Sequence, residues 1–164
     1  MKIRDIMTTP VTTVEPSDTV AFADELMKVE RVRHLPVVDG DVLVGLLSQR
    51  DVLSTGIPLI NDPSDEEDYE FKRKLEVRTV MRGGVETIGP DADAIEAANT
   101  LLNQKIGCLP VVDERHHLIG IVTEADFVRL ARDMLAQAIK TPPGTPGHGP
   151  RSPASRHTRQ SREG

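Results

Sequence analysis

The sequence has no tryptophan, one cysteine, three phenylalanines and one tyrosine in 164 residues. So few aromatic rings leave no platform on which single-stranded bases could stack. A formal charge of −6 argues against general nucleic-acid binding, which depends on neutralising phosphates. With Cys108 alone, no intrachain disulfide can form, which fits a reducing compartment. No apolar run approaches the ~20 residues needed to span a bilayer. The N-terminal stretch MKIRDIMTTPV is charged and lacks an apolar h-region, so no signal peptide is expected. Also missing are a nucleophile–base–acid triad, a metal-ligand constellation and a glycine-rich phosphate loop. These absences describe a soluble, cytoplasmic, non-enzymatic protein.

What is present is a repeat. Leu-Pro-Val-Val-Asp occurs at 35–39 and again at 109–113, 74 positions on. At that offset Met7 meets Met81, Val11 meets Val85, Thr13 meets Thr87, Pro16 meets Pro90 and Ala23 meets Ala97. Ten of 33 positions are identical over 7–39 against 81–113, where chance gives roughly two. After one inserted residue, Leu43, Gly45 and Asp51 meet Leu118, Gly120 and Asp126. Two copies exclude a long solenoid.

Each copy reads β-α-β-β-α. The β-branched run at 11–14 predicts a short strand, and Val85–Ile88 repeats it. Ser17 and Asp18 are placed to open a helix, as Pro90-Asp91 does in the second copy. Val20, Ala23 and Met27, and then Ala94, Ala97 and Leu101, form one helical stripe in each copy. Pro36 and Pro110 lack an N–H and suit a strand's start. Asp39-Gly40 is a tight-hairpin dipeptide, followed by a return strand at 42–47; the second return strand is 118–122. Ser48 and Thr123 open a further helix, the second of which runs to about Lys140. Apolar strands against helices give an α/β protein whose halves must pack together.

The copies span 1–56 and 77–140. Residues 57–76 form an acidic linker, helical by its pattern. Ser64 caps it, acids fill its first turn and bases its last, and Asp68–Lys72 and Glu70–Lys74 are i,i+4 pairs. The segment 141–164 holds five prolines and four glycines, with four arginines against one glutamate. It cannot bury a core and is expected to be disordered.

The order Met, then Val-x-Thr-[Val/Ile]-x-Pro, a helix, Leu-Pro-Val-Val-Asp, then Leu-[Val/Ile]-Gly-[Leu/Ile]-[Leu/Val]-[Ser/Thr]-x-x-Asp resembles the CBS motif, named for cystathionine β-synthase. The resemblance covers about 3–53 and 77–131, and the whole chain is similar to small stand-alone CBS-pair proteins of the acetoin-utilisation type. It implies two motifs packed about a pseudo-two-fold, with clefts between them, and commonly a homodimer. It implies a regulatory ligand of adenosine type: AMP, ADP, ATP or S-adenosylmethionine. Binding would shift the pair's conformation and act on an unknown partner protein. A ligand-free dimerisation or assembly module is the alternative.

Ser48-Gln49-Arg50-Asp51 and Thr123-Glu124-Ala125-Asp126 each stand where a strand ends and a helix begins. Open amides there attract anions. The hydroxyl of Ser48 or Thr123 can share a phosphate oxygen, and the carboxylate of Asp51 or Asp126 can accept from both hydroxyls of a ribose. The resemblance assigns these positions the same roles. The pattern is equally a variant capping box, worth about 1 kcal/mol, and a cap can be given up to a ligand. Residues ahead of each Leu-Pro border the ligand in this family: Arg33 and His34 in one copy, Gly107 and Cys108 in the other. Thr13, Thr87 and Pro110 complete the candidate nucleotide-binding set. Arg33, His34 and Arg50 suit phosphate, whereas Gly107 lets backbone approach a flat ring.

Other polar residues have plainer readings. His116, His117, Asp113 and Glu114 crowd one solvated turn. Cys108 is a small buried hydrophobe with no paired base.

Overall fold

The structure, a computed structural model, describes residues 1–55 and 65–140. The expected disorder of 141–164 and the cap at Ser64 lie outside them. The described elements are helices α1 (Val20–Glu30), α2 (Gln49–Ser54), α3 (Asp65–Arg73), α4 (Ala94–Gln104) and α5 (Glu124–Lys140) and strands β1 (His34–Asp39), β2 (Val42–Ser48), β3 (Cys108–Val112) and β4 (Leu118–Thr123). β1 and β2 form one antiparallel hairpin, β3 and β4 the other. This is the α/β architecture that the repeat predicts.

The helical stripes bury as their spacing predicts: Val20, Ala23 and Met27 are at most 2% exposed, and Ala94, Ala97 and Leu101 at most 9%. The helix starts differ from the sequence expectation. Thr19, not Ser17, caps α1 by accepting from the Phe22 N–H at 3.1 Å. Asp18 instead accepts from the Glu15 N–H at 2.7 Å, closing a turn ahead of the helix. In the second copy α4 begins at Ala94, and Asp93, its N-cap, turns its carboxylate to Lys2 Nζ at 3.0 Å.

The runs expected as leading strands shrink to single parallel bridges, Val14 to Val37 and Ile88 to Val111. The prolines explain this. The Val14 N–H donates to Pro36 O at 3.1 Å, and the Val38 N–H donates to Val14 O at 2.9 Å. The next rung back would need an N–H on Pro36, which has none. Pro36 therefore sits two residues into β1, not at its start, and ends the parallel ladder on that side. On its other side it faces Leu46, whose N–H and C=O are both turned away to Arg82 at 2.9 Å, so the antiparallel ladder loses nothing there. Pro110, Ile88 and Ile121 repeat the arrangement.

The two cores do not follow the linear order of the chain. Ile3 is fully buried among Ile88, Ala97, Leu101, Leu109, Val111 and Val122 of the second copy. Val77 is fully buried among Val14, Val20, Leu35, Val37 and Leu47 of the first. Each copy's leading segment thus completes the other's core. Hydrogen bonds follow the exchange: Thr8 and Ile121 trade backbone bonds at 2.8 and 3.1 Å, and Arg82 and Leu46 at 2.9 Å each. The hairpins also touch, through the Leu43 N–H to His116 O at 3.2 Å and the Leu118 N–H to Asp41 O at 2.9 Å.

The linker helix is docked as well as solvated. Lys72 on α3 is 6% exposed, and its Nζ bonds Asp68 at 2.8 Å and Asp24 of α1 at 3.4 Å. Burial alone would lower the Lys72 pKa; the carboxylates of Asp68 and Asp24 outweigh it and raise it. Glu70 pairs with Arg73 at 2.8 Å, three residues on, rather than with Lys74.

Candidate functional site

A cleft of about 930 Å³ opens along the seam between the two copies. Its walls come from the end of β2 and the start of α2, from the Arg82–Glu86 loop, and from the turn that joins α4 to β3. Seven residues singled out from sequence meet in it: Arg33, His34, Ser48, Arg50, Asp51, Gly107 and Cys108. The bulky basic residues and the glycine are therefore two walls of one cleft. Thr13, Thr87, Pro110, Thr123 and Asp126 do not line it. Thr13 and Thr87 are half-buried beside the single bridges, and Pro110 is buried in β3. Thr123 and Asp126 form the corresponding cluster of the other copy, next to Thr8.

The capping reading of Ser48 and Asp51 is realised in full. Ser48 Oγ accepts from the Asp51 N–H at 3.1 Å; Asp51 Oδ2 accepts from the Ser48 N–H at 3.0 Å and from Ser48 Oγ at 2.5 Å. The first amide of each helix is not open. The Gln49 N–H donates to Arg33 O at 2.8 Å, and the Glu124 N–H to Gly107 O at 3.2 Å. The positive groups that face this cleft are side chains, Arg33, Arg50, Arg82 and Lys105. Asp126 repeats the carboxylate half of the box, with the Thr123 N–H at 2.7 Å and Oγ1 at 2.8 Å, and its other oxygen takes Arg129 and, at 3.5 Å, the Thr8 hydroxyl.

Sequence reading missed Arg82. Its Nε and Nη2 both donate to Asp51 Oδ1, at 3.0 and 2.8 Å. Burial tends to raise the Asp51 pKa, but the hydrogen bonds from Ser48 and Arg82 outweigh it and hold the carboxyl below its usual range. The signal was available: at the repeat offset Arg82 aligns with Thr8, an unlike pair where both neighbours, Met7 and Met81, are the same. Lys105, Glu86 and Glu124 also line the cleft and were not singled out. Cations there outnumber acids, although the chain carries −6 overall.

His34 and Gly107 meet face to face. A Cβ on Gly107 would fall 2.8 Å from His34 Cε1, so the imidazole rests against bare backbone. Burial pushes the His34 pKa down; Glu124 and Asp51 partly oppose this and Arg33 reinforces it. Cys108 is 3% exposed, and burial pushes its thiol up to about 12, so it is protonated and inert as a nucleophile. The Asp113 carboxylate closes its turn by accepting from the Arg115 and His117 N–H groups at 2.8 and 2.9 Å, with His117 Nδ1 at 3.0 Å.

The CBS domain family matches residues 3–57 and 77–133. A solved acetoin utilisation protein of Vibrio cholerae is 33% identical, with a TM-score of 0.71, covering 87% of this chain and 98% of that one. The structure of CBSX2, a CBS-pair protein of Arabidopsis thaliana, in complex with AMP is 30% identical, with a TM-score of 0.68, covering 82% of this chain and 98% of that one. Hypoxic response protein 1 of Mycobacterium tuberculosis is 31% identical over 139 residues, 84% of this chain and 90% of its own length. Among the described residues no helix is long and apolar enough to cross a membrane.

Proposed function

This chain belongs to the CBS-domain family, and on that premise we propose that it is a regulatory module that holds an adenosine-type ligand in the seam cleft. The observation that carries the reading is the convergence, in one cleft of about 930 Å³, of Asp51, Ser48, Arg50, Arg33, His34 and Gly107. The size falls in the range of small-molecule sites, roughly 300–1,000 Å³. A carboxylate for the ribose, several cations for phosphate and a side-chain-free Gly107 for the base make AMP, ADP or ATP a chemical fit. The AMP complex of CBSX2 supports AMP as the first ligand to try. S-adenosylmethionine shares the nucleoside but would bring a cation to the arginines.

The proposed mechanism is a population shift. The ligand touches both copies, so it favours one arrangement of the exchanged halves and thereby biases a partner protein in the cytoplasm. A homodimer is the proposed assembly, built on exposed apolar side chains such as Ile95 and Leu102 of α4 and Val128 and Leu135 of α5, each more than 65% exposed.

A melting panel with AMP, ADP, ATP and S-adenosylmethionine tests this. A ligand at 100 times its Kd adds about 2.7 kcal/mol, several degrees in Tm for a domain of this size. The competing reading, a ligand-free assembly module, is favoured by one observation: both Asp51 and Asp126 already have internal partners. A panel with no shift selects it.

A further inference from the structure

We infer that Arg82 is a selectivity gate: it holds Asp51 until an anionic group on the ligand draws it off, so the cleft admits phosphorylated nucleosides and discriminates against uncharged ones. This deepens the nucleotide reading and rests on it.

Asp51 has no oxygen to spare. Oδ2 takes two bonds from Ser48, and Oδ1 takes both Nε and Nη2 of Arg82. A ribose diol reaching this carboxylate must displace the guanidinium. An uncharged nucleoside would leave that guanidinium without an anion. A nucleotide brings its own, and a planar guanidinium grips a phosphate with two parallel N–H bonds as readily as a carboxylate. The guanidinium can leave into water: the Arg82 side chain is 66% exposed, whereas that of Asp51 is 12% exposed.

The backbone lets only the side chain move. Arg82 N–H and C=O are clamped to Leu46 at 2.9 Å on both sides. Gly83 and Gly84 follow it, and a Cβ built on either meets nothing within 4 Å, so no packed neighbour crowds the two residues after Arg82. The other copy provides the comparison. Thr8 occupies the same scaffold position, with the same backbone bonds to Ile121, and carries no charge. Asp126 there pairs with Arg129 of its own helix, not with a cation from the opposite segment. The gate is therefore a property of one cleft.

The test is calorimetric titration of the full chain with AMP and with adenosine, for wild type, Arg82→Thr, Arg82→Lys and Arg50→Ala. Threonine already stands at the matching position of the sister copy, so Arg82→Thr keeps the fold, and circular dichroism checks it. Wild type is expected to prefer AMP over adenosine by about tenfold or more. Arg82→Thr weakens AMP and tightens adenosine, because Asp51 is freed. Arg82→Lys retains the preference for AMP. Arg50→Ala weakens AMP without tightening adenosine. Equal affinities in wild type, an unchanged ratio in Arg82→Thr, or a loss of AMP with no gain for adenosine overturns the gate while leaving the nucleotide reading intact. Wild type that binds neither compound removes the nucleotide reading itself, and the gate with it.

Discussion

His34 stands in the cleft as a neutral imidazole. Its burial depresses the pKa below 6.5, with Glu124 and Asp51 offsetting part of the effect. The unfolded chain takes up a proton near 6.5 that the folded chain resists. The stability that follows is complete above about 6.5 and is lost as pH falls from there toward the folded pKa. Melting curves between about pH 7.5 and 5.5 should therefore show a larger drop in Tm for wild type than for His34→Gln. Equal slopes would mean that the imidazole is not buried against Gly107. A phosphate placed nearby would raise the His34 pKa, so ligand binding should take up protons in this range. The Ser48–Asp51 and Thr123–Asp126 clusters were legible because their types and positions follow the repeat; His34 and Gly107, which the repeat sets against Cys108 and Arg33, were legible through their place ahead of each Leu-Pro. Arg82 was not read, because its one signal, an unlike pair with Thr8 beside matched methionines, does not say what the residue contacts. That the first amide of each helix is taken was also invisible: the acceptors, Arg33 O and Gly107 O, are main-chain atoms that any residue would supply.

At the scale of elements, the hairpins and helical stripes were legible, since β-branched runs and 3.6-residue spacing are local. The exchange of leading segments was not, because it is a choice between two like cores. Ile3 and Val77 are equivalent apolar residues, and nothing local says which core each enters. Two substitutions test the exchange. Ile3→Ala removes a fully buried side chain and should cost about 2–5 kcal/mol, measured by denaturant unfolding, although Ile3 is only the third residue. A cost near zero would mean that the first residues do not seal the second core. Gly45 faces the segment that crosses from the other copy: a Cβ there would lie 2.6 Å from Met81 Sδ and 3.0 Å from Arg82 O. The sulfur can move, but the clamped carbonyl cannot. Gly45→Ala should therefore cost about 1–3 kcal/mol as overpacking and loosen Arg82 from β2. Unchanged stability would place the crossing segment farther away.

For the whole molecule, the exchange makes the halves interdependent. Neither core closes without the leading segment of the other copy, so unfolding should follow a single transition seen alike by helix and by tertiary probes. The same seam forms the cleft, whose lining comes from both copies, so a ligand there would contact both at once. This is why occupancy can favour one arrangement of the pair, and why the account stands or falls on occupancy. The most direct measurement is a crystal structure grown with AMP in excess. The account predicts density for the nucleotide between Asp51 and Gly107, with the Arg82 guanidinium turned from Asp51 to the phosphate. A seam that holds only its own side chains, with Arg82 still forked onto Asp51, would contradict it.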